Sequence, residues 1–224
     1  MILAYIAMRS AHAHQEEATT SRATPAAAFE PDLAQVVAGN SGRLSNCTAS
    51  LDDVDGKRAV RLDGAPGVGI AWLDGSPFRN GVIELELRGR NVPQKSFVGV
   101  AFHGLDDETY DAVYFRPFNF RSDDPVRRSH MVQYVSGPTY VWQKLRDEHP
   151  GEYENDVRPV PDPDSWFHAR IVVDSPTVSV FVNDAVEPSL VVQQLSDRET
   201  GRVGLWVGPE SEAEFAGLRI TPSG

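Results

Sequence analysis

Apolar side chains recur at every second position through most of the chain, in short runs. Ile83, Leu85 and Leu87 alternate with Glu84, Glu86 and Arg88, and Val98, Val100 and Phe102 alternate with Gly99, Ala101 and His103. Val178, Val180 and Val182 alternate with Ser179, Phe181 and Asn183, and Val203, Leu205 and Val207 with Gly204, Trp206 and Gly208. A period of two with β-branched enrichment marks half-buried strands, each turning one face to a core. Residues 58–62, 68–73, 110–116, 130–135, 167–173 and 214–220 are further strand candidates. About ten short strands punctuated by Gly, Pro, Asn and Asp predict an all-β antiparallel sandwich or barrel.

One segment departs from this period. In residues 138–148, Val141 and Leu145 stand four apart, Pro138 lies near the start, and Pro150 and Gly151 follow the end. That predicts a short helix. It sits in a long excursion, roughly 117–165, that closes with Pro159, Pro161 and Pro163. An excursion of this length in a compact sandwich is functional or disordered, and its Tyr140, Trp142 and Tyr153 argue against disorder.

The chain of 224 residues suits one domain, and 21 Lys+Arg against 32 Asp+Glu leave a net charge of 21 − 32 = −11. An acidic chain lacks the positive field that releases phosphate counterions, so nucleic acid is not expected as a partner. It would also be repelled by an anionic membrane surface. The lone Cys47 permits no intramolecular disulfide and no thiolate-rich metal site, and reads as an inert thiol. Residues 1–28 form a signal-like segment and leader, and 29–224 the folded domain. The apolar run at residues 1–8 precedes an A-x-A-like site at Ala11 and Ala13 but lacks a positive n-region, which reads as a truncated export signal. The run is too short to span a bilayer, so no membrane insertion is expected. The sequon Asn46-Cys47-Thr48 matters only in a eukaryotic secretory pathway.

Several stretches resemble a known group: residues 110–122 (YDAVYFRPFNFRS) and 125–130 (PVRRSH), then 166–173, 180–184 and 201–208. The likeness is to bacterial concanavalin A-like proteins of the laminin-G-like and 3-keto-disaccharide-hydrolase-like type, over roughly residues 29–221. It implies a jelly-roll of two packed antiparallel sheets, one concave, together with export and a link to saccharides. Such folds host lectins, glycosidases and adhesion modules alike.

Candidate chemistry concentrates in residues 103–134. If Val98, Val100 and Phe102 face the core, Gly99, Ala101 and His103 face the other way, leaving floor space beside His103. Tyr114 and Arg116 share a face of the next strand, and Asn119, Arg121, Arg127, Arg128, His130 and Gln133 follow. Residues 116–130 carry four Arg against two Asp, a local positive excess. These side chains supply fixed donors for the hydroxyls or carboxylates of a sugar. We expect His103, Tyr114, Arg116 and His130 to line one pocket. Trp206 alternates away from the core and Trp142 sits on the short helix, so both are candidate sugar platforms. Trp72 and Trp166 read as core or rim.

Other schemes are weaker. Glu84 and Glu86 stand about 7 Å apart on one face, a separation permitted to glycosidase acids at about 6.5–9.5 Å. Arg88 at the next alternate position breaks the motif of family 16 glycosidases, and an exposed strand face explains the pair. Asp106, Asp107, Glu108 and Asp111 could attract Ca²⁺, but their spacing is not that of an EF-hand. No cofactor is implied, and a structural calcium cannot be assigned to particular residues.

Three function classes follow. The first is saccharide binding on a concave sheet by Tyr114, Asn119, Arg121, Arg128, Gln133, Trp142 and Trp206. The second, implied by the resemblance, is cleavage of 3-keto-glycosides, in which a ketone acidifies its α-proton. His103 or His130 would then be the base, with Arg116 stabilising enolate charge. The third is a structural or adhesion module. The oligomeric state is left open.

Overall fold

The computed structural model describes residues 27–223; the signal-like run and nearly all of the leader lie outside them. Two antiparallel sheets of seven strands each pack face to face. Numbered in chain order, the first sheet runs β1 (Gly42–Ser45), β4 (Gly69–Leu73), β13 (Arg202–Val207), β6 (Val98–Gly104), β7 (Asp111–Phe115), β8 (Val132–Ser136) and β9 (Glu154–Asn155). The second runs β12 (Leu190–Gln193), β11 (Thr177–Val182), β10 (Phe167–Asp174), β5 (Gly81–Arg88), β14 (Glu212–Pro222), β3 (Lys57–Gly64) and β2 (Cys47–Val54). The alternating runs of the sequence are therefore central strands. The strands that its pattern did not mark, β1, β2, β9 and β12, are the outermost strands of the two sheets. An edge strand buries less apolar surface, so its alternation is weak.

Between the sheets, Ile83, Leu85, Leu87 and Ile171 face Val98, Val100, Phe102 and Val113, all with no exposed surface. Phe115 and Phe167 meet edge to face across the gap, ring centres 5.1 Å apart. Each such side chain contributes about 1.5–3 kcal/mol by leaving water.

The two sheets differ on their outer faces. Along β5 and β10 buried residues alternate with half-buried ones, as for a sheet wetted on one side. Along β6, β7 and β8 every residue is buried. The excursion causes this difference, because it folds back over the first sheet. It contains a 3₁₀ turn (Pro117–Asn119) and two of the three short helices among the described residues: α2 (Pro125–Arg128) and α3 (Trp142–Glu148), α1 being Leu33–Val37. Asp124 caps α2 by accepting from the Val126 N–H, ahead of Pro125 in the first turn. The expected helix begins later than Pro138, since Ser136 and Tyr140 exchange backbone hydrogen bonds and close a turn there first. Leu145 anchors α3 in the core, with 1% exposure.

Candidate functional site

Strand register assembles the site. Across the first sheet, Trp206, Gly99, Tyr114, Gln133 and Glu154 are successive cross-strand partners, so they share the outer face. Gly99 lies between the two aromatic residues. A Cβ there would stand 2.2 Å from the Val113 carbonyl oxygen and 2.6 Å from Tyr114 Cβ, so only glycine fits. Over it the Tyr114 and Trp206 rings stack, 4.6 Å apart and inclined by 22°. The indole N–H of Trp206 donates to the Tyr110 hydroxyl at 3.3 Å.

Arg116, just beyond β7, is 5% exposed and ties this row together. Its Nη2 donates to the Tyr114 hydroxyl (2.7 Å) and to Gln133 Oε1, and its Nη1 donates to the His130 carbonyl at 3.0 Å. Asn119 Nδ2 donates to the same carbonyl at 3.2 Å. The guanidinium sits 4.8 Å from the centre of the Tyr114 ring. With an indole stacked on it and a guanidinium 4.8 Å from its centre, Tyr114 keeps only 3% of its surface exposed and serves as floor rather than as a sugar platform.

Glu154 of β9 is the charge partner of this cluster. Arg146 of α3 donates to it from Nε (2.9 and 3.1 Å) and Nη2 (2.8 Å). Arg116 Nη1 lies 3.8 Å and His130 Nε2 3.2 Å from its oxygens. Burial lowers the His130 pKa below its ordinary 6.5, and the Arg146 and Arg116 charges act the same way against the pull of Glu154. Burial likewise raises the Tyr114 hydroxyl, which stays protonated, and lowers Arg116, which stays charged.

Over this floor lies a cavity of about 700 Å³. Phe97, Phe118, Val141, Trp142, Tyr114 and Trp206 supply its apolar wall. Gln94, Arg116, Asn119, Arg127, His130 and Arg146 form its polar part. Trp142, 47% exposed, is the most open of the aromatic residues lining the cavity, with the Arg146 guanidinium 5.1 Å from its ring.

The structure brings Tyr114, Arg116, Asn119, His130, Trp142 and Trp206 to this cavity and sets Gln133 beneath it. Three expected residues fall elsewhere. His103 faces the interior of the sandwich, because β6 is bulged near its end and His103 takes a positive φ of 49°, reversing its side-chain direction. Its Nε2 donates to the Arg79 carbonyl at 2.6 Å, and its Nδ1 lies 3.1 Å from the Gln194 side-chain amide and 3.7 Å from Asp111 Oδ2. Arg121 pairs with Asp162 at 2.9 Å on the surface, both partly exposed. Arg128 is exposed on α2 and outside the lining, where Arg127 stands instead.

The acidic turn is consumed by the fold. Asp106 accepts from the Glu108 and Thr109 N–H groups at 2.9 and 2.7 Å. Asp107 pairs with Arg43 and accepts from the Trp72 indole, and Asp111 points inward, where the Tyr134 hydroxyl donates to it at 2.7 Å. Among the described residues no three His, Cys, Asp or Glu side chains are grouped to hold a metal. Glu84 and Glu86 lie on the outer face of the second sheet, Glu86 paired with Lys57 at 3.0 Å. Asn46 donates to the Pro66 and Val68 carbonyls, 3.1 and 3.0 Å away, pinning a turn. Among the described residues no helix is long and apolar enough to cross a membrane.

Sequence reasoning missed Glu154, Arg146 and Phe97. Arg146 was findable, since it stands four residues after Trp142 on a helix and so over the same face. Glu154 was not, because only the pairing of β9 with β8 sets it beside Gln133.

No protein-family model matches the chain, and no curated protein matches it. Solved structures do. The carbohydrate-binding module CBM66 from Bacillus subtilis aligns with a TM-score of 0.52 at 10% identity, over 80% of this chain and 97% of that one. A protein of unknown function with a galectin-like fold, also from Bacillus subtilis, gives 0.53 at 13% identity, over 81% and 89%. The exoplasmic/lumenal domain of VIP36, in its Ca²⁺/Man3GlcNAc-bound form, gives 0.52 at 8% identity, over 83% and 84%. These likenesses define the class of the fold, a galectin-like β-sandwich, in agreement with the expected concanavalin A-like architecture. At such identities they speak for the fold alone.

Proposed function

We propose that the protein binds saccharide in the cavity over the first sheet. The observation that carries this reading is a cavity of about 700 Å³ with aromatic walls above a buried, hydrogen-bonded Arg116–Tyr114–Gln133 floor. The volume falls in the range of small-ligand sites, about 300–1,000 Å³. Aromatic surface takes the C–H faces of a sugar ring, and rigid charged donors take its oxygens. CBM66 is a carbohydrate-binding module and the VIP36 domain was solved with Man3GlcNAc bound, which supports the reading by analogy of fold. Trp142 is the platform, Trp206 and Tyr114 shape the wall, and Arg116, Asn119 and His130 order its polar end. Export suits such a ligand and accords with the exoplasmic/lumenal setting of the VIP36 domain.

The test is calorimetric titration of a panel of oligosaccharides against wild type and Trp142→Ala. Because Trp142 is about half exposed, the variant should fold as the wild type does. Binding should weaken about 10-fold or more, as for loss of an anchoring aromatic. A folded Trp142→Ala protein with undiminished binding would sink the proposed site.

One observation favours cleavage of 3-keto-glycosides as a second reading. His130 lines the cavity, and its lowered pKa keeps the imidazole neutral at pH 7. A neutral imidazole can take the proton at C2 of a 3-keto sugar. The C–H electron pair then forms the enolate, and its collapse breaks the C1–O bond as the imidazolium returns its proton to the departing glycosidic oxygen. The charge of Arg116 favours the enolate. Release of free sugar from a 3-keto-disaccharide, lost in His130→Gln, is the expected result; no release by the wild type rejects it.

A further inference from the structure

The cavity lining contains three arginines and one histidine and no Asp or Glu, in a chain whose net charge is −11. Every charged group of the lining is therefore a donor, and Gln94 and Asn119 are its only side-chain amides. Both Glu154 oxygens are occupied by Arg146, and the His130 carbonyl already accepts from Arg116 and Asn119. Gln133 Oε1 accepts from Tyr114 and Arg116, and its buried Nε2 has no acceptor at all. Among the described residues Arg127, at the rim, has one long charge contact, 3.9 Å, with Asp124, both more than half exposed and therefore screened. A sugar hydroxyl brings a proton that must find an acceptor, whereas a carboxylate only accepts. Apolar walls concentrate the field of the cationic end on whatever enters.

We propose that the saccharide selected by this cavity is an acidic one, a uronate whose C6 carboxylate is held at the Arg127–Arg146–His130 end while its ring lies against the aromatic wall. The planar fork of a guanidinium matches a carboxylate in shape as well as charge. This inference rests on the saccharide-binding reading and narrows its ligand class.

The experiment titrates the full chain with trisaccharides of gluco, galacto and manno configuration. Each is supplied as the C6 alcohol, the uronate, the uronate methyl ester and the C6 sulfate. For one configuration the uronate should bind about 10-fold or more tighter than its alcohol and its ester, the scale of one charge-assisted hydrogen bond. That advantage should shrink between about 50 and 500 mM salt. Arg127→Ala, which alters an exposed side chain, should remove most of the advantage without shifting the melting temperature. Equal affinity for alcohol and uronate overturns the acidic-ligand inference and leaves saccharide binding standing. Capture of the sulfate but not the uronate overturns the carboxylate assignment. A folded protein that binds no member of the panel overturns both.

Discussion

Glu154→Gln replaces the one carboxylate that meets Arg116, Arg146 and His130 with a neutral side chain of the same shape. Arg146 is 28% exposed and can turn toward water, but Arg116 cannot, being 6% exposed along its side chain. At 3.8 Å and an effective dielectric constant of 20, the Arg116–Glu154 attraction is about 4 kcal/mol. Breaking a buried pair on one side costs about 3–5 kcal/mol, because the remaining charge stays desolvated. Urea denaturation should show a loss of that size with an unchanged m-value. The melting temperature should fall by about 6–20 °C, at about 2–4 °C per kcal/mol for a domain of this size. Arg116→Met with Glu154→Gln removes both charges, so the double variant should be more stable than the summed single losses predict, by about 1–3 kcal/mol. A loss in Glu154→Gln below about 1 kcal/mol, or strict additivity in the cycle, would refute the reading of a buried, mutually dependent network.

The pH dependence has a definite sign. Burial first, and the two arginines after it, hold His130 below 6.5 in the folded state, so as pH falls the unfolded chain takes up that proton first. Stability from this group is therefore complete above 6.5, declines as pH falls through 6.5, and levels off once the folded-state value is passed. His130→Gln should flatten that part of a stability-against-pH curve, and an unchanged slope between pH 7 and 5 would reject the assignment. His103→Phe removes the hydrogen-bond partner of the Arg79 carbonyl and the Gln194 amide and leaves buried Asp111 beside an apolar ring, and should cost about 1–3 kcal/mol. Oligosaccharide affinity should be unaffected, and a selective loss of binding at wild-type stability would return His103 to the site. Gly99→Ala forces a methyl into the Val113 carbonyl and Tyr114 backbone. It should destabilise by about 1–3 kcal/mol and change the near-ultraviolet circular dichroism of the stacked Tyr114 and Trp206. An unperturbed spectrum would show that the rings do not depend on that gap.

Sandwich and central strands were legible locally, because a strand buried on one face repeats every two residues, and that repeat survives in Ile83–Leu87 and Val178–Val182 without knowledge of partners. The edge strands were not: β9 is two residues long, and β12 buries Leu190 and Val192 but carries apolar Val191 on its open side, which hides the repeat. The same alternation placed Tyr114, Trp206 and Gly99 on the face away from the core, where strand register confirms them. It failed at His103, where a bulge and a positive φ reverse the side chain. Composition of residues 116–130 marked the basic island, but could not divide it into the buried Arg116, the rim Arg127, and the surface Arg121 and Arg128.

By itself, then, the sequence determined the all-β class, the core face of each central strand and the stretch that carries the chemistry. Those properties depend on neighbours a few residues apart. Tertiary structure alone decided that Arg146 and Glu154 join Arg116 and His130, and that the excursion roofs one sheet rather than the other. Such contacts join residues far apart in the chain, whose positions follow from which strands pair and in what register.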